Sequence, residues 1–274
     1  MITEYKIVCK GIKKKVIYHF SDSHLTEYDS LSTPEEIEKA KSATEAWERV
    51  REHFARHGGE PYGEYEKLSP AYHFRKLLEI AKDGDALVLA GDTFDYVSNA
   101  NLRFADKCLA DFDKPIAAVC GNHESRKAIP SDGKLAKMGN DFYVVRLDDI
   151  NIICVDNSQR IVTPEQNNAL DYELSSGKKA IVVIHVPVMC EQNEKQLKPS
   201  GVYFQFNYEG CPEENLEFIK IIEKHAQNVI AVLAGHLHFS NYALLPGNVP
   251  QFVSSQAIVG NINRYVIGDA DELL

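Results

Sequence analysis

The chain of 274 residues is 44% hydrophobic and 26% charged, with a formal net charge of −10. That balance belongs to a soluble globular protein and excludes a disordered one, while the acidic surplus disfavours a dedicated nucleic-acid scaffold, because a polyanion would be repelled. No stretch approaches the roughly 20 apolar residues needed to span a bilayer, and MITEYKIVCK at the N-terminus has no sustained apolar run of the signal-peptide kind, so a cytoplasmic chain is expected.

Short apolar runs rich in Val and Ile recur along the chain: residues 13–21, 85–91, 114–121, 141–147, 150–156, 178–185 and 228–235. Several lack polar alternation, as expected for strands covered on both faces. Helical patterns lie between them. Thr33-Pro34-Glu35-Glu36 is a capping-box start, after which Ile37, Ala40, Ala43, Trp47, Val50 and Phe54 continue one apolar stripe, read as packing, until Gly58 can close the helix. Ser69-Pro70 begins another, with Phe74, Leu77, Leu78 and Ala81 on its face and Gly84 as its stop. Further helices are expected near 101–111, 164–174 and 213–227. The alternation predicts a layered α/β fold in one domain over 1–274. Residues 26–68 interrupt the rhythm as a helical insertion, either a flap over the strand ends or an outer helix with its surface loop. The stretches after His238, through RYVIGDADELL, are expected to add strands to the second of two sheets.

The six cysteines (Cys9, Cys108, Cys120, Cys154, Cys190, Cys211) have no C-x-x-C spacing. A zinc ribbon or dithiol motif is therefore absent, and Cys120 and Cys154, inside strand patterns, are expected to pack as small apolar groups.

The chemistry gathers where strands end. VIYHFS runs into Asp22-Ser23-His24; DALVLA into Gly91-Asp92-Thr93-Phe94-Asp95; PIAAVC into Gly121-Asn122-His123-Glu124; AIVVI into His185; and VIAVLA into Gly235-His236-Leu237-His238. Loops at the carboxyl ends of strands bring distant residues into one crevice, so five such ends delivering Asp, Asn and His point to one site. Oxygen and imidazole donors without thiolates suit divalent Mn, Fe or Zn. Asp22 and His24, like His236 and His238, stand one residue apart, so in extended backbone both members of a pair would point the same way. Asp22, Asp92 and Asp95 in one crevice need compensating cations or protons. His19, His53, His57, His73 and His225 match no such position and read as ordinary residues. Glu124 could be a surface carboxylate, and Asn157 could line the crevice or merely reflect loop polarity. Tyr62, Tyr65, Tyr203, Phe204, Phe206 and Tyr208 are aromatic residues near the expected site.

Asp-x-His, Gly-Asp-x-x-Asp, Gly-Asn-His-Glu, a lone His after a strand and Gly-His-x-His, in that order, resemble the motif set of the calcineurin-like metallophosphoesterases. The resemblance implies a sandwich of two mixed sheets flanked by helices (α/β/β/α) and a pair of metal ions. It implies that Asp22, His24, Asp92 and His238 hold one ion, and that Asp92, Asn122, His185 and His236 hold the other, with Asp92 bridging. A hydroxide shared by the ions would attack phosphorus, His123 would protonate the leaving oxygen, and Asp95 would orient His123. Tyr96-Val97 stands where the protein Ser/Thr phosphatase branch has an Arg-Gly, and Arg126 is the nearest substitute for a phosphate-binding Arg. A singly charged diester needs less positive surround than a dianionic monoester, which favours a phosphodiesterase acting on a small or nucleotide-like ester. A phosphomonoesterase, a nuclease and a non-catalytic metal-binding scaffold stay open as alternatives.

Overall fold

The computed structural model describes residues 1–57 and 68–273. In chain order the elements are β1 (Ile2–Val8), β2 (Lys15–Phe20), α1 (Pro34–His57), α2 (Pro70–Ala81), β3 (Ala86–Ala90), α3 (Asn99–Leu109), β4 (Ile116–Val119), β5 (Phe142–Arg146), β6 (Ile150–Val155), α4 (Pro164–Ser175), β7 (Lys179–Val183), α5 (Glu194–Leu197), α6 (Glu213–Lys224), β8 (Val229–Ala234), β9 (Asn241–Leu245), β10 (Val249–Val253) and β11 (Ile262–Gly268). The strands form two mixed sheets, ordered β1-β11-β2-β3-β4 and β5-β6-β7-β8-β10-β9.

Alternation of side chains along the strands explains the layers. In β3 the residues Ala86, Val88 and Ala90 face the space between the sheets, together with Ala117 and Val119 of β4 and Ile152, Cys154, Ile181 and Val183 of the second sheet. The alternate residues Leu87 and Leu89 turn the other way and bury Phe74, Leu77 and Leu78 of α2 and Leu109 of α3. Ile153, Val182 and Val232 do the same on the outer face of the second sheet, against Leu170 and Leu174 of α4 and Phe218 and Ile222 of α6. Apolar residues on both faces of the strands, one set between the sheets and the other under the helices, give the expected α/β/β/α sandwich. All six cysteines are free, and Cys120 and Cys154 are buried in the core as expected.

The capping reading holds. In α1 the Thr33 N–H donates to Glu36 at 2.8 Å and the Glu36 N–H donates to Thr33 Oγ1 at 3.2 Å. A second box, Thr163 with Gln166, starts α4. Along α1, Ala40 is buried, whereas Val50 is exposed. Expectations for the Phe54, His53 and His57 side chains, for Gly58, Tyr62 and Tyr65, and for a flap over 58–67 fall outside the described residues.

One expectation is corrected at the C-terminus. β9 and β10 do join the second sheet, but β11 enters the first, parallel to β1 and antiparallel to β2. β1 itself escapes the sequence reading because it is an edge strand with one half-buried face, Thr3, Tyr5 and Ile7, too weakly apolar to stand out among strands buried on both sides.

Candidate metal centre

The five strand ends meet at one place. Gly91 O accepts the Asp22 N–H at 3.0 Å, Asp92 O accepts the His24 N–H at 3.0 Å, and Thr93 O accepts the Leu25 N–H at 3.0 Å, which laces the loops after β2 and β3 together. Asp22, His24, Asp92, His236 and His238 have φ of 58°, 45°, 49°, 74° and 60°, five of the seven non-glycine residues with positive φ among the described residues. Asp22 and His24, like His236 and His238, therefore converge through left-handed backbone and not through strand alternation, which corrects the sequence argument. Each such residue costs about 1–2 kcal/mol relative to right-handed backbone, a strain concentrated where side chains must turn inward. Two glycines permit the close approach. A Cβ on Gly121 would collide with the Asp92 carboxylate, and one on Gly91, itself at φ 89°, would collide with the His185 ring.

Two groups of donors result. In the first, His24 Nε2 lies 3.1 Å from His238 Nε2, and Asp22 Oδ1 lies 3.3 Å from His238 Nε2. Asp22 Oδ1 is buried with no hydrogen-bond partner, although its other oxygen accepts from the Ser21 hydroxyl and, at 3.0 Å, from the His236 N–H. Two imidazole nitrogens and an unsatisfied carboxylate oxygen aimed at one point fit a divalent cation. The second group is Asp92, His185 and His236, all buried, with Asn122 Oδ1 at 3.1 Å from His185 Nε2. Asp92 joins the two. Its Oδ2 is 3.4 Å from His185 Nε2 and 4.0 Å from His24 Nε2, while its Oδ1 accepts the His123 N–H at 2.9 Å.

In a third cluster, His24, Asp95 and His123, the carboxylate oxygen is already engaged. Asp95 Oδ1 is 3.0 Å from His123 Nδ1 and accepts the Trp47 indole N–H at 2.8 Å. A carboxylate oxygen so occupied orients an imidazole better than it holds an ion.

The carboxylates and imidazoles of the site shift one another's protonation. Burial works against the ionised form of Asp22, but His238 and His185 outweigh it and hold its pKa at about 2. Asp92 is buried too, and His185 and His24 hold it far below the carboxylate range. His185 and His123 move the opposite way: burial disfavours their charge, yet Asp92 for the first and Asp95 for the second raise them to about 9. Burial, reinforced by His185, drops His236 to about 3. His185 and His123 are thus drawn toward the charged form, and His236 and His24 toward the neutral one.

Several supporting residues were missed or undervalued in the sequence. Glu124 is buried, not a surface carboxylate; it accepts the N–H groups of Gly121 at 2.6 Å, Phe94 at 2.8 Å and Asp92 at 3.1 Å, and so fixes the Asp92 turn. Asn157 is fully buried and clamps the end of β7, accepting from His185 N at 2.8 Å and Val186 N at 3.0 Å and donating to Val186 O at 2.7 Å. Its signal was its place just past the end of β6, in the Asp156-Asn157-Ser158 stretch that follows IICV. Arg126 is engaged by Asp156 at 2.9 Å and Asp141 at 3.7 Å. Trp47 leaves the packing stripe and lays its ring on His24 at 3.9 Å between centroids. Tyr203 and Phe204 flank His236 at 5.1 Å each, and Tyr203 O lies 3.1 Å from His236 Nε2. His19, by contrast, is buried beside Tyr265 outside the donor groups, as an ordinary core histidine.

A profile of the family described as calcineurin-like phosphoesterase matches residues 15–240. A curated protein of Fibrobacter succinogenes, named probable cyclic nucleotide phosphodiesterase, is 24% identical over 165 residues, which are 58% of this chain and 60% of that protein. The chain thus spans about three fifths of the length of that relative. Among solved structures, a dimetal phosphatase from Danio rerio superposes with a TM-score of 0.57 at 12% identity, covering 89% of this chain and 88% of that one. No helix among the described residues is long and apolar enough to cross a membrane.

Proposed function

The chain belongs to the calcineurin-like phosphoesterase family, and from that premise we propose that it is a phosphoric ester hydrolase, a phosphodiesterase acting on a small or nucleotide-like ester through a two-cation centre. Asp22, His24, His238 and Asp92 would hold one cation, and Asp92, Asn122, His185 and His236 the other. Bound there, the cations supply an acidified water and neutralise phosphate oxygens during in-line displacement. The observation that carries this reading is Asp92 Oδ2, a single buried oxygen between His24 and His185.

The chain's own groups do the rest. His123 is held by Asp95 at the mouth of the site, exposed enough to meet a substrate, with its Nδ1 on Asp95 Oδ1 and on Asp95 O, both at 3.0 Å. That bond leaves Nε2 to carry the proton that the departing oxygen takes. Glu124 keeps the Asp92 carboxylate in place by holding the backbone on either side of it.

The lean toward a diester rests on charge. Arg126 is engaged by Asp156 and Asp141, so it is not free to single out a dianionic monoester. The Fibrobacter relative's name agrees with this lean. Side-by-side rates on bis-(p-nitrophenyl) phosphate and p-nitrophenyl phosphate with Mn(II) test it. Faster turnover of the diester is expected, and a clear monoester preference would overturn the assignment. Purified protein dialysed against Mn(II) should carry two ions per chain by elemental analysis; protein that takes up none would refute the centre itself.

A further inference from the structure

α1 lies between β2 and β3, where one strand could pass to the next through α2 alone, and the residue it sends to the site is Trp47. The helix is fastened on both sides of that residue. Thr44 shares a hydroxyl contact of 2.8 Å with Thr26, just beyond the Asp22-His24 loop, and Arg51 donates to Leu68 O at 2.6 Å. The indole N–H meets Asp95 Oδ1 at 2.8 Å, the ring covers His24 at 3.9 Å, and it comes within 5.5 Å of His238 and 6.2 Å of His123.

Asp95 stands between two competing imidazoles. Its Oδ1 is 3.0 Å from His123 Nδ1 and 3.6 Å from His24 Nδ1, and His24 Nδ1 is buried without a hydrogen-bond partner. A carboxylate free to rotate would be drawn toward that unsatisfied nitrogen and away from His123. The Trp47 N–H opposes the rotation by donating to the oxygen that His123 uses. Its ring meanwhile shields His24 from water.

We propose that Trp47 is a positioning residue: it locks Asp95 onto His123 and thereby makes α1 a working part of the hydrolytic site. This rests on the reading of His123 as the acid, so the test separates the two. Trp47→Phe keeps the stacked ring and removes the N–H. Its turnover is measured on p-nitrophenyl and unsubstituted phenyl esters of whichever class, diester or monoester, the enzyme prefers. The variant should lose about tenfold in kcat on the phenyl ester, whose leaving group needs the proton, and little on the p-nitrophenyl ester, with KM unchanged. In a His123→Ala background the same change should cost nothing further. Equal losses on both esters, or an undiminished loss in that background, would overturn the proposal. A His123→Ala enzyme with a leaving-group-selective loss beside a Trp47→Phe enzyme without one would overturn only the role of Trp47. A His123→Ala enzyme as fast as wild type on the phenyl ester would remove the acid reading and this proposal with it.

A second measurement needs no turnover. Trp47 is the sole tryptophan, so intrinsic fluorescence reports on it alone. Titrating the wild-type protein with Co(II) should quench that emission saturably, because the indole lies against a proposed ligand. Emission that Co(II) leaves untouched would overturn the placement.

Discussion

The two donor groups are built by different means. In the group of Asp22, His24 and His238 every member sits on left-handed backbone, two loops are laced by main-chain hydrogen bonds, and a helix from outside the sheets supplies the roof. In the group of Asp92, His185 and His236 all members are buried. His185 leaves β7 without positive φ, is clamped by Asn157, and lies with its Nδ1 2.8 Å from Ala90 O in the opposite sheet. The first group reaches the rim through His238, whereas the second is buried throughout. Left-handed backbone serves both groups, since Asp92 and His236 share it with Asp22, His24 and His238; what sets them apart is the core clamp on His185 against the helix laid over His24, and the two should fail differently.

The largest effect should come from removing what the groups share. Asp92→Asn leaves the shape of the side chain and takes its charge from both groups, so activity should fall on the order of 10³-fold, with bound metal dropping below two ions per chain in elemental analysis. Full metal content and full activity would show that the groups are independent. Adding cation tests them together. Mn(II) at about 100 times its Kd should stabilise the fold by about 2.7 kcal/mol, read as a raised melting temperature, and a melting curve that does not move would count against binding to the native state.

Asn157→Ala sharpens the contrast. It strands the His185 and Val186 N–H groups and the Val186 carbonyl in the core and should cost about 2–3 kcal/mol in chemical denaturation, with the interior cation lost before the rim cation. Loss of the rim cation first would reverse the comparison. Asp171 serves as a remote control. Lys224, at 2.8 Å, and His225, at 2.7 Å, hold its pKa below the ordinary value. A depressed carboxylate contributes stability that is present above its unfolded pKa and lost as pH falls through its lower folded value. Asp171→Asn should therefore cost about 0.5 kcal/mol at neutral pH, less in acid, and leave metal content unchanged.

Much of this was legible in the sequence because function repeats a pattern there. Each site residue follows an apolar run, and burial of those runs on both faces made the strands, their order along the chain and the crevice at their ends readable. Side-chain identity reported which residues meet; it did not report how. The left-handed turns at Asp22, His24, His236 and His238 carry no glycine to announce them, since Asp and His tolerate that backbone better than most residues. Trp47 was hidden for a related reason. An aromatic on a helical stripe satisfies the same periodicity whether it enters a core or covers a site, and only its tertiary partners, His24 and Asp95, tell the two apart. β11 could be recognised as a strand, but strand pairing is a long-range property. Nothing local says that Ile262–Gly268 belongs beside residues near the opposite end of the chain.

That pairing governs the order in which the protein can come together. β2, which delivers Asp22 and His24, is synthesised well before β11, and one flank stays bare until β11 arrives to cover it. Nascent chains must therefore keep an unpaired sheet edge soluble until β11 emerges, and final ordering of the rim ligands waits on a contact between far-separated segments, the slow and aggregation-exposed kind of step.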